Sequence, residues 1–342
     1  MRGDGRAYRR GQRWWISYYI DGQRCREPAG DTDEEARKKL KRRLRQAAGG
    51  QFHGPREERV RVKDLMDALE RDLERRGAKS MVSFRAHKKA VIEGFGSMRA
   101  VAVTPQAIEA FETAQRAERT NKKGEKRTGK APATINRYVE TLRQAFNLAR
   151  KQGRLSRVPF FPTLTVDNAR QGFFEKAEID ALVAALPEAH ADAVRFAYGS
   201  GWRRGEIMPL TWEQVDRSAR EVRLYTSKNG HPRVLPLEGE LWNVIERCWA
   251  RREFQTPDGS ALSPLVFHDG GRILGDFRKR WVTACKAARV PGRLFDDLRR
   301  SAVRDMIRSG VPQSVAMSIS GHRSTSIFLR YDIASDADRP RL

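Results

Sequence analysis

Cysteine is scarce in this 342-residue chain: Cys25, Cys248 and Cys285 are the only three, widely spaced. An odd, scattered count argues against a disulfide framework, and no close pair exists to hold a metal. The three are read as reduced, structural thiols. Histidine is also sparse: the six (His53, His87, His190, His231, His268, His322) show no HExxH-like spacing. No metal and no other cofactor is therefore expected. Long apolar runs are missing; none approaches the ~18–20 residues of a membrane span. The opening MRGDGRAYRRGQRWW shows no signal-peptide core, so a cytoplasmic protein is expected. Acidic charge is in deficit: 43 Asp and Glu face 67 Lys and Arg, a net charge of +24 with a pI near 10.6. A partner with regularly spaced phosphates suits such a field; a small metabolite does not need it. Hydrophobic residues make up 39%, enough for real cores. The length suits two or three domains at ~100–200 residues each.

Residues 1–55 read as a small sheet followed by a basic helix. RWWISYYI is β-rich, and Asp21-Gly22 is a hairpin turn before QRCRE. Thr32 and Glu35 have capping-box spacing ahead of ARKKLKRRLR. Trp14, Trp15, Tyr18 and Tyr19 could simply be the core of so small a module. Arg9, Arg10, Arg13, Lys38, Lys39, Lys41, Arg42 and Arg43 suggest DNA binding, although a charge run is usually a solvated face. After a linker, residues 60–157 read as an all-α domain, also rich in Lys and Arg. VKDLMDALERDLERR has helical periodicity, and Thr104-Pro105 opens a further helix. A long helix places Ile135, Tyr138, Val139, Leu142, Phe146 and Ala149 on one side, with Gly153 as its stop. The basic stretch 119–131 reads as a mobile loop. Residues 170–342 read as a mainly helical, mixed α/β domain with one clear hairpin, REVRLYTS and HPRVLPL about the turn Asn229-Gly230.

Four stretches of this last domain carry the chemistry. GSGWRRGEIMPLTW holds Arg203, with Glu206 placed to brace an arginine. SKNGHPRV puts Lys228 beside the hairpin tip. LFDDLRRSAVRDM puts Arg299 on the first turn of a helix. GHRSTSIFLRYD holds His322 and, nine residues on, Tyr331. Each is weak alone: a lone arginine, a hairpin lysine and a late tyrosine are usually surface charge and packing. In this order and spacing they resemble the catalytic boxes of the tyrosine recombinases, the phage integrase family. ATINRYVETLRQAFNLARKQGRL and VPFFPTLTVDNARQG are similar to the core-binding domain and linker of prophage and genomic-island integrases. The N-terminal hairpin resembles an arm-site-binding module. The likeness covers nearly the whole chain.

The resemblance implies site-specific DNA recombination through a 3′-phosphotyrosyl link at Tyr331, integrating or excising a mobile element. Arg203 and Arg299 would stabilise charge on the phosphoryl oxygens, for which paired guanidiniums are well shaped. Lys228 would protonate the leaving 5′-oxygen, and His322 would hydrogen-bond the phosphate. The family's second box usually opens with His, and here the position holds Asp296. Asp296 is expected to cap its helix or orient Arg299, or else to accept the tyrosyl proton; a decaying enzyme is the third reading. DNA contacts are expected from Arg9, Arg10, Arg13, Lys88, Lys89, Arg137, Arg143, Arg204 and Arg300, the last two as backbone contacts or surface charge. Glu178, Asp180 and Asp192 read as solvated faces. Double-stranded attachment-site DNA is the expected partner. The helical and catalytic domains would form a C-shaped clamp on it, as a homotetramer on DNA and a monomer when free. A DNA-bending host factor and an excision factor are possible partners; a membrane is not. Alternatives are an invertase or resolvase, a type IB topoisomerase-like relaxer, and a non-catalytic DNA-binding regulator.

Overall fold

A computed structural model describes residues 5–20, 22–49, 54–120, 126–166, 172–225, 232–274 and 277–328. Lys228, the turn Asn229-Gly230 and Tyr331 lie outside the described residues. The chain divides into two compact units, Met1–Asp167 and Asn168–Leu342. Helices dominate both, with small antiparallel sheets; no described helix is long and apolar enough to cross a membrane.

The first unit opens with β1 (Gly5–Arg10), β2 (Arg13–Ile20) and β3 (Gln23–Gly30), an antiparallel sheet in that order. Side chains alternate across a strand. Trp14, Ile16, Tyr18 and Ile20 therefore face α1 (Asp33–Ala48) and form a core with Ala36, Leu40 and Leu44. Trp15 and Tyr19 share the other face, so the four aromatics divide between core and surface. Thr32 and Glu35 form the capping box their spacing implies: Thr32 Oγ1 accepts from the Glu35 N–H at 3.3 Å, and Glu35 Oε2 accepts from the Thr32 N–H at 3.3 Å.

Arg43 departs from both readings of the basic helix, as a DNA-binding face and as a solvated one. Its side chain is 4% exposed. It donates to Glu27 at 2.7 and 3.0 Å and to Glu58 Oε2 at 2.7 Å, and Tyr18 Oη donates to Glu27 at 2.9 Å. Burial works against the Glu27 carboxylate, yet the bonds from Arg43, Lys39 and Tyr18 outweigh it and hold the group at about 2.

The helical part of this unit comprises α2 (Val62–Arg75), α3 (Met81–Phe95), α4 (Pro105–Arg116) and α5 (Pro132–Lys151). α2 and α3 pack on α5 through its stripe of Ile135, Tyr138, Val139, Leu142, Phe146 and Ala149. In the stretch expected as a loop, β4 (Arg119–Thr120) pairs with β5 (Lys126–Arg127).

The second unit is built around α7 (Glu188–Ser200), which follows α6 (Lys176–Ala184) and leads into α8 (Arg204–Ile207). Next come β6 (Val215–Asp216), β7 (Glu221–Leu224) and β8 (Arg233–Pro236), one antiparallel sheet, then α9 (Glu240–Ala250). Two further hairpins follow: β9 (Glu253–Thr256) with β10 (Gly259–Leu262), and β11 (His268–Asp269) with β12 (Arg272–Ile273). The sequence suggested one hairpin because these extra strands are short and polar. α10 (Phe277–Ala287), α11 (Phe295–Arg308), α12 (Gln313–Ser320) and α13 (Thr325–Phe328) complete the unit. α7 packs against α9 and α11, placing the end of α7 beside the start of α11.

Asp192 was expected on a solvated face and is instead 0% exposed. Arg195 and Arg247 donate to it at 2.9 and 3.0 Å, and Arg251 also pairs with it. A fully buried carboxylate persists because these guanidiniums supply the charge and donors that water would have given. Asp180 is exposed and paired with Lys176, and Glu178 is half-buried and accepts from the Glu175 N–H at 2.8 Å.

Candidate active site

α7 and α12 both end on glycines in the left-handed conformation, Gly201 at φ +64° and Gly321 at φ +72°. A helix end leaves carbonyls without partners inside the helix, and these carry the negative end of the dipole. Arg299, on the first turns of α11, uses both ends. Its Nη1 donates to Gly201 O at 2.7 Å and also to Ser320 O. Its Nη2 lies 2.8 Å from His322 Nε2, so the arginine and the histidine are brought together as expected. Arg299 is 4% exposed and His322 7%.

The proton positions on His322 follow from its neighbours. A guanidinium only donates, so Nε2 accepts from Arg299. The Ser320 hydroxyl lies 2.6 Å from Ala316 O, to which it donates, and 2.8 Å from His322 Nδ1. Nδ1 therefore carries the proton and gives it to Ser320 Oγ. Burial, and then the charges of Arg299, Arg203 and Arg233, push the imidazole down to about 3, so the ring is neutral near pH 7.

Arg203 stands just before α8. Glu206 Oε2 accepts from the Arg203 N–H at 2.9 Å, and Glu206 Oε1 lies 3.4 Å from the Arg203 guanidinium, the bracing the sequence suggested. Arg203 keeps 31% of its side chain exposed, against 4% for Arg299 as a residue. The sequence reading missed Arg233, Ser320 and Trp202. Arg233 pairs with Glu206, donates to Ser320 O at 3.2 Å and stacks over the Trp202 ring at 4.7 Å. The indole Nε1–H of Trp202 donates to Ile319 O at 3.0 Å. Only the alternation of PRVLP, which reads as a strand, marked Arg233 as having a defined side.

Asp296 lies on the first turn of α11 and is exposed. It neither caps the helix nor orients Arg299: the carboxylate that accepts the Leu294 N–H, at 2.7 Å, is that of Asp297, which is 1% exposed. Among the described residues Asp296 makes no hydrogen bond or ion pair.

The residues expected to touch DNA fall into different settings. Arg10 and Arg13 share the open sheet face with Arg6, Tyr8, Trp15, Tyr19, Arg24 and Arg26, by register. Arg6 stacks over Tyr8 at 5.6 Å and Arg10 over Trp15 at 5.3 Å. Arg9 is exposed but belongs to the opposite face, across from Trp14. Lys89 and Arg137 are exposed, and Arg143 is exposed while paired with Glu140 at 2.6 Å. Lys88 is a correction: its side chain is 15% exposed and its charge is met by Asp67 and Glu70 between α2 and α3. Arg204 is exposed, 5.9 Å above the Phe277 ring. Arg300, read as surface charge or a backbone contact, is 7% exposed and lies 4.8 Å over Phe173.

Comparison with known proteins gives the same direction. Residues 172–337 match the phage integrase family. The integrase of Salmonella phage P22 is 23% identical over 95% of this chain and 89% of its own length. The shufflon-specific DNA recombinase of Escherichia coli is 28% identical over 40% of this chain and 32% of its own. Among solved structures, a lambda integrase dimer bound to a COC′ core site aligns with a TM-score of 0.64 and 17% identity, covering 98% of this chain and 95% of that one. The Tn1549 transposon integrase in complex with circular intermediate DNA aligns at 0.63 and 18% identity, over 82% and 97% of the two chains.

Proposed function

We propose that this chain, a tyrosine site-specific recombinase of the phage integrase family, cleaves and rejoins attachment-site DNA to integrate or excise a mobile element. The convergence of Arg203, Arg299 and the neutral His322 at the ends of α7 and α12 carries this reading. Tyr331 would attack the scissile phosphorus. Its Oη–P bond forms as the P–O5′ bond breaks, and the phenolic proton leaves to a base. Lys228 would give a proton to the departing 5′-oxygen. Arg203 and Arg299 would stabilise the charge that grows on the non-bridging oxygens. The phosphotyrosyl link keeps the bond energy, so another strand's 5′-hydroxyl can reverse the step.

The organisation that fits is three-part: an arm-site module over residues 1–55, a helical core-site domain over 60–157 and a catalytic domain over 170–342. The open sheet face, with Arg6, Arg10, Arg13, Arg24 and Arg26 among aromatics, is the arm-site surface. Four protomers would act on two sites in the bacterial cytoplasm.

A covalent-trapping assay tests this. Purified protein is mixed, in EDTA, with nicked duplexes from the DNA flanking its gene. An SDS-resistant adduct mapped to Tyr331, absent in Tyr331→Phe, is the expected result. Salt-sensitive binding with no adduct would instead favour the non-catalytic regulator, for which the exposed Asp296 is the one feature.

A further inference from the structure

We propose that Arg233 is a positioning residue that locks the second strand of the catalytic hairpin onto the phosphate-binding arginines. This rests on the function proposed above. Arg233 opens β8, five residues beyond Lys228 in the chain. Its side chain is only 8% exposed, and each bond it makes goes to a different part of the site. Nη2 pairs with Glu206, the carboxylate that also holds Arg203. Nη1 donates at 3.2 Å to Ser320 O, the carbonyl that also accepts from Arg299. The guanidinium plane covers Trp202, between Gly201 and Arg203, at 4.7 Å. One side chain thus fastens the turn before α8, the turn after α12 and the sheet.

The fit is tight. A Cβ on Gly321 would meet Arg233 Nη1 at 1.5 Å, so glycine at this position leaves the space the guanidinium occupies. The same glycine takes φ +72° at the end of α12, a conformation glycine adopts without penalty. Burial draws the Arg233 guanidinium below the usual arginine value while Glu206 opposes the shift. A buried arginine is kept only where its charge and donors are matched, and Glu206 and Ser320 O provide that match.

Arg233 is not a catalytic residue in the sense of Arg203 or Arg299. Its Nη atoms are committed to Glu206 and Ser320, and its Nε has no partner and no access to solvent among the described residues. It would act through others. With Arg233 removed, Glu206 is held from one side only, and Arg203 and the His322 turn lose a shared reference.

The test compares wild type with Arg233→Gln and Arg233→Lys in the full chain, on the nicked duplex of the trapping assay. For Arg233→Gln the cleavage rate, measured well below the melting transition, is expected to fall roughly ten- to hundredfold, with DNA affinity within about twofold; the melting temperature should fall as well, because Glu206 loses its buried cation. Lysine, which keeps the charge but not the planar fork, should recover only part of the rate. The same substrate with sulfur in place of the bridging 5′-oxygen, which departs as a thiolate and needs no proton, separates two routes. Persistence of the Arg233→Gln defect on that substrate supports the phosphate-binding route. Full rescue would overturn it, since Arg233 would then act through the hairpin's acid. A second readout needs no DNA and no adduct: in 15N-histidine-labelled protein the His322 ring nitrogens should shift in Arg233→Gln. Unshifted His322 resonances would overturn the proposal even if cleavage fell. Failure of wild type to form any adduct would count against the recombinase reading, while the resonances still decide the role of Arg233.

Discussion

Arg299 Nη2 and His322 Nε2 lie 2.8 Å apart, and the arginine can only donate. The histidine therefore offers a lone pair, not a proton, at Nε2. Its Nδ1–H is spent on Ser320 Oγ, whose proton goes to Ala316 O at 2.6 Å. The serine before the Gly-His pair thus decides which face of the ring serves the site.

Ser320→Ala should release that choice. The ring would gain access to the Nε2–H tautomer, which cannot accept from Arg299. Loss of one buried hydrogen bond costs about 1 kcal/mol, so adduct formation should slow up to about tenfold. Long-range 15N–1H correlation on labelled protein should show wild-type His322 protonated at Nδ1. An Nε2–H signal in wild type would defeat the argument.

His322 also sets a pH dependence. Its folded-state value of about 3 lies below the ordinary 6.5, so between these limits the unfolded chain binds a proton that the folded chain refuses. Stability is full above about 6.5 and falls as pH drops toward 3. Each pH unit in that window removes up to about 1.4 kcal/mol, or about 2 kcal/mol between pH 7 and pH 5. Urea denaturation at the two values should show this extra loss in wild type relative to His322→Gln. Equal losses would mean that the imidazole is not buried neutral.

Arg43 gives the sharpest stability contrast in the first unit. With Glu27 and Glu58 on its guanidinium and 4% exposure, Arg43→Met takes the paired cation from Glu58 and leaves Glu27 with Lys39 alone. Breaking a buried pair in this way costs about 3–5 kcal/mol. Lys38→Met and Arg42→Met, at exposed positions on the same helix, should stay within about 0.5 kcal/mol. Limited proteolysis across residues 5–60 compares the three, and similar rates would place Arg43 with its neighbours as surface charge.

These contrasts show what the sequence could and could not carry. The capping box at Thr32 and Glu35 and the apolar stripe of α5 are written locally, in spacing, and were legible. The order of the boxes brought Arg203, Arg299 and His322 to attention. Whether a charged side chain is buried is not local. Asp192, Arg43, Lys88 and Arg300 look like surface residues until Arg251, Glu27, Asp67 and Phe173 are folded against them. Arg233 was hidden for the same reason: its partners Glu206 and Ser320 come from segments 27 and 87 residues away.

Phe328 is 0% exposed and packs with Val303 of α11 and Ala316 of α12, its ring 5.6 Å from that of His322. It is the last described residue, three before Tyr331 in the chain. Phe328→Ala should lower cleavage at least tenfold by loosening the chain's hold ahead of the nucleophile, since deleting a buried phenyl ring costs about 3–5 kcal/mol. DNA affinity should be unaffected. Wild-type cleavage rates would show that Phe328 only fills space.

Asp296 remains the departure from the family pattern, and its placement narrows what it can do. The capping bond belongs to Asp297, and the Arg299 guanidinium is directed to Gly201, Ser320 and His322. An exposed carboxylate with no partner among the described residues has little to lose on substitution. Asp296→His should therefore keep stability within about 0.5 kcal/mol. It should also leave the adduct rate equal or raised, because a negative charge near a phosphodiester is unfavourable and an imidazole is not. Asp296→Asn separates charge from shape: if repulsion is what Asp296 contributes, Asn should gain as His does. A loss beyond about tenfold in both variants, or about 1.4 kcal/mol of barrier, would instead give the carboxylate a specific task. Acceptance of the tyrosyl proton is then the task to test, by whether the pH–rate profile moves between wild type and Asp296→Asn.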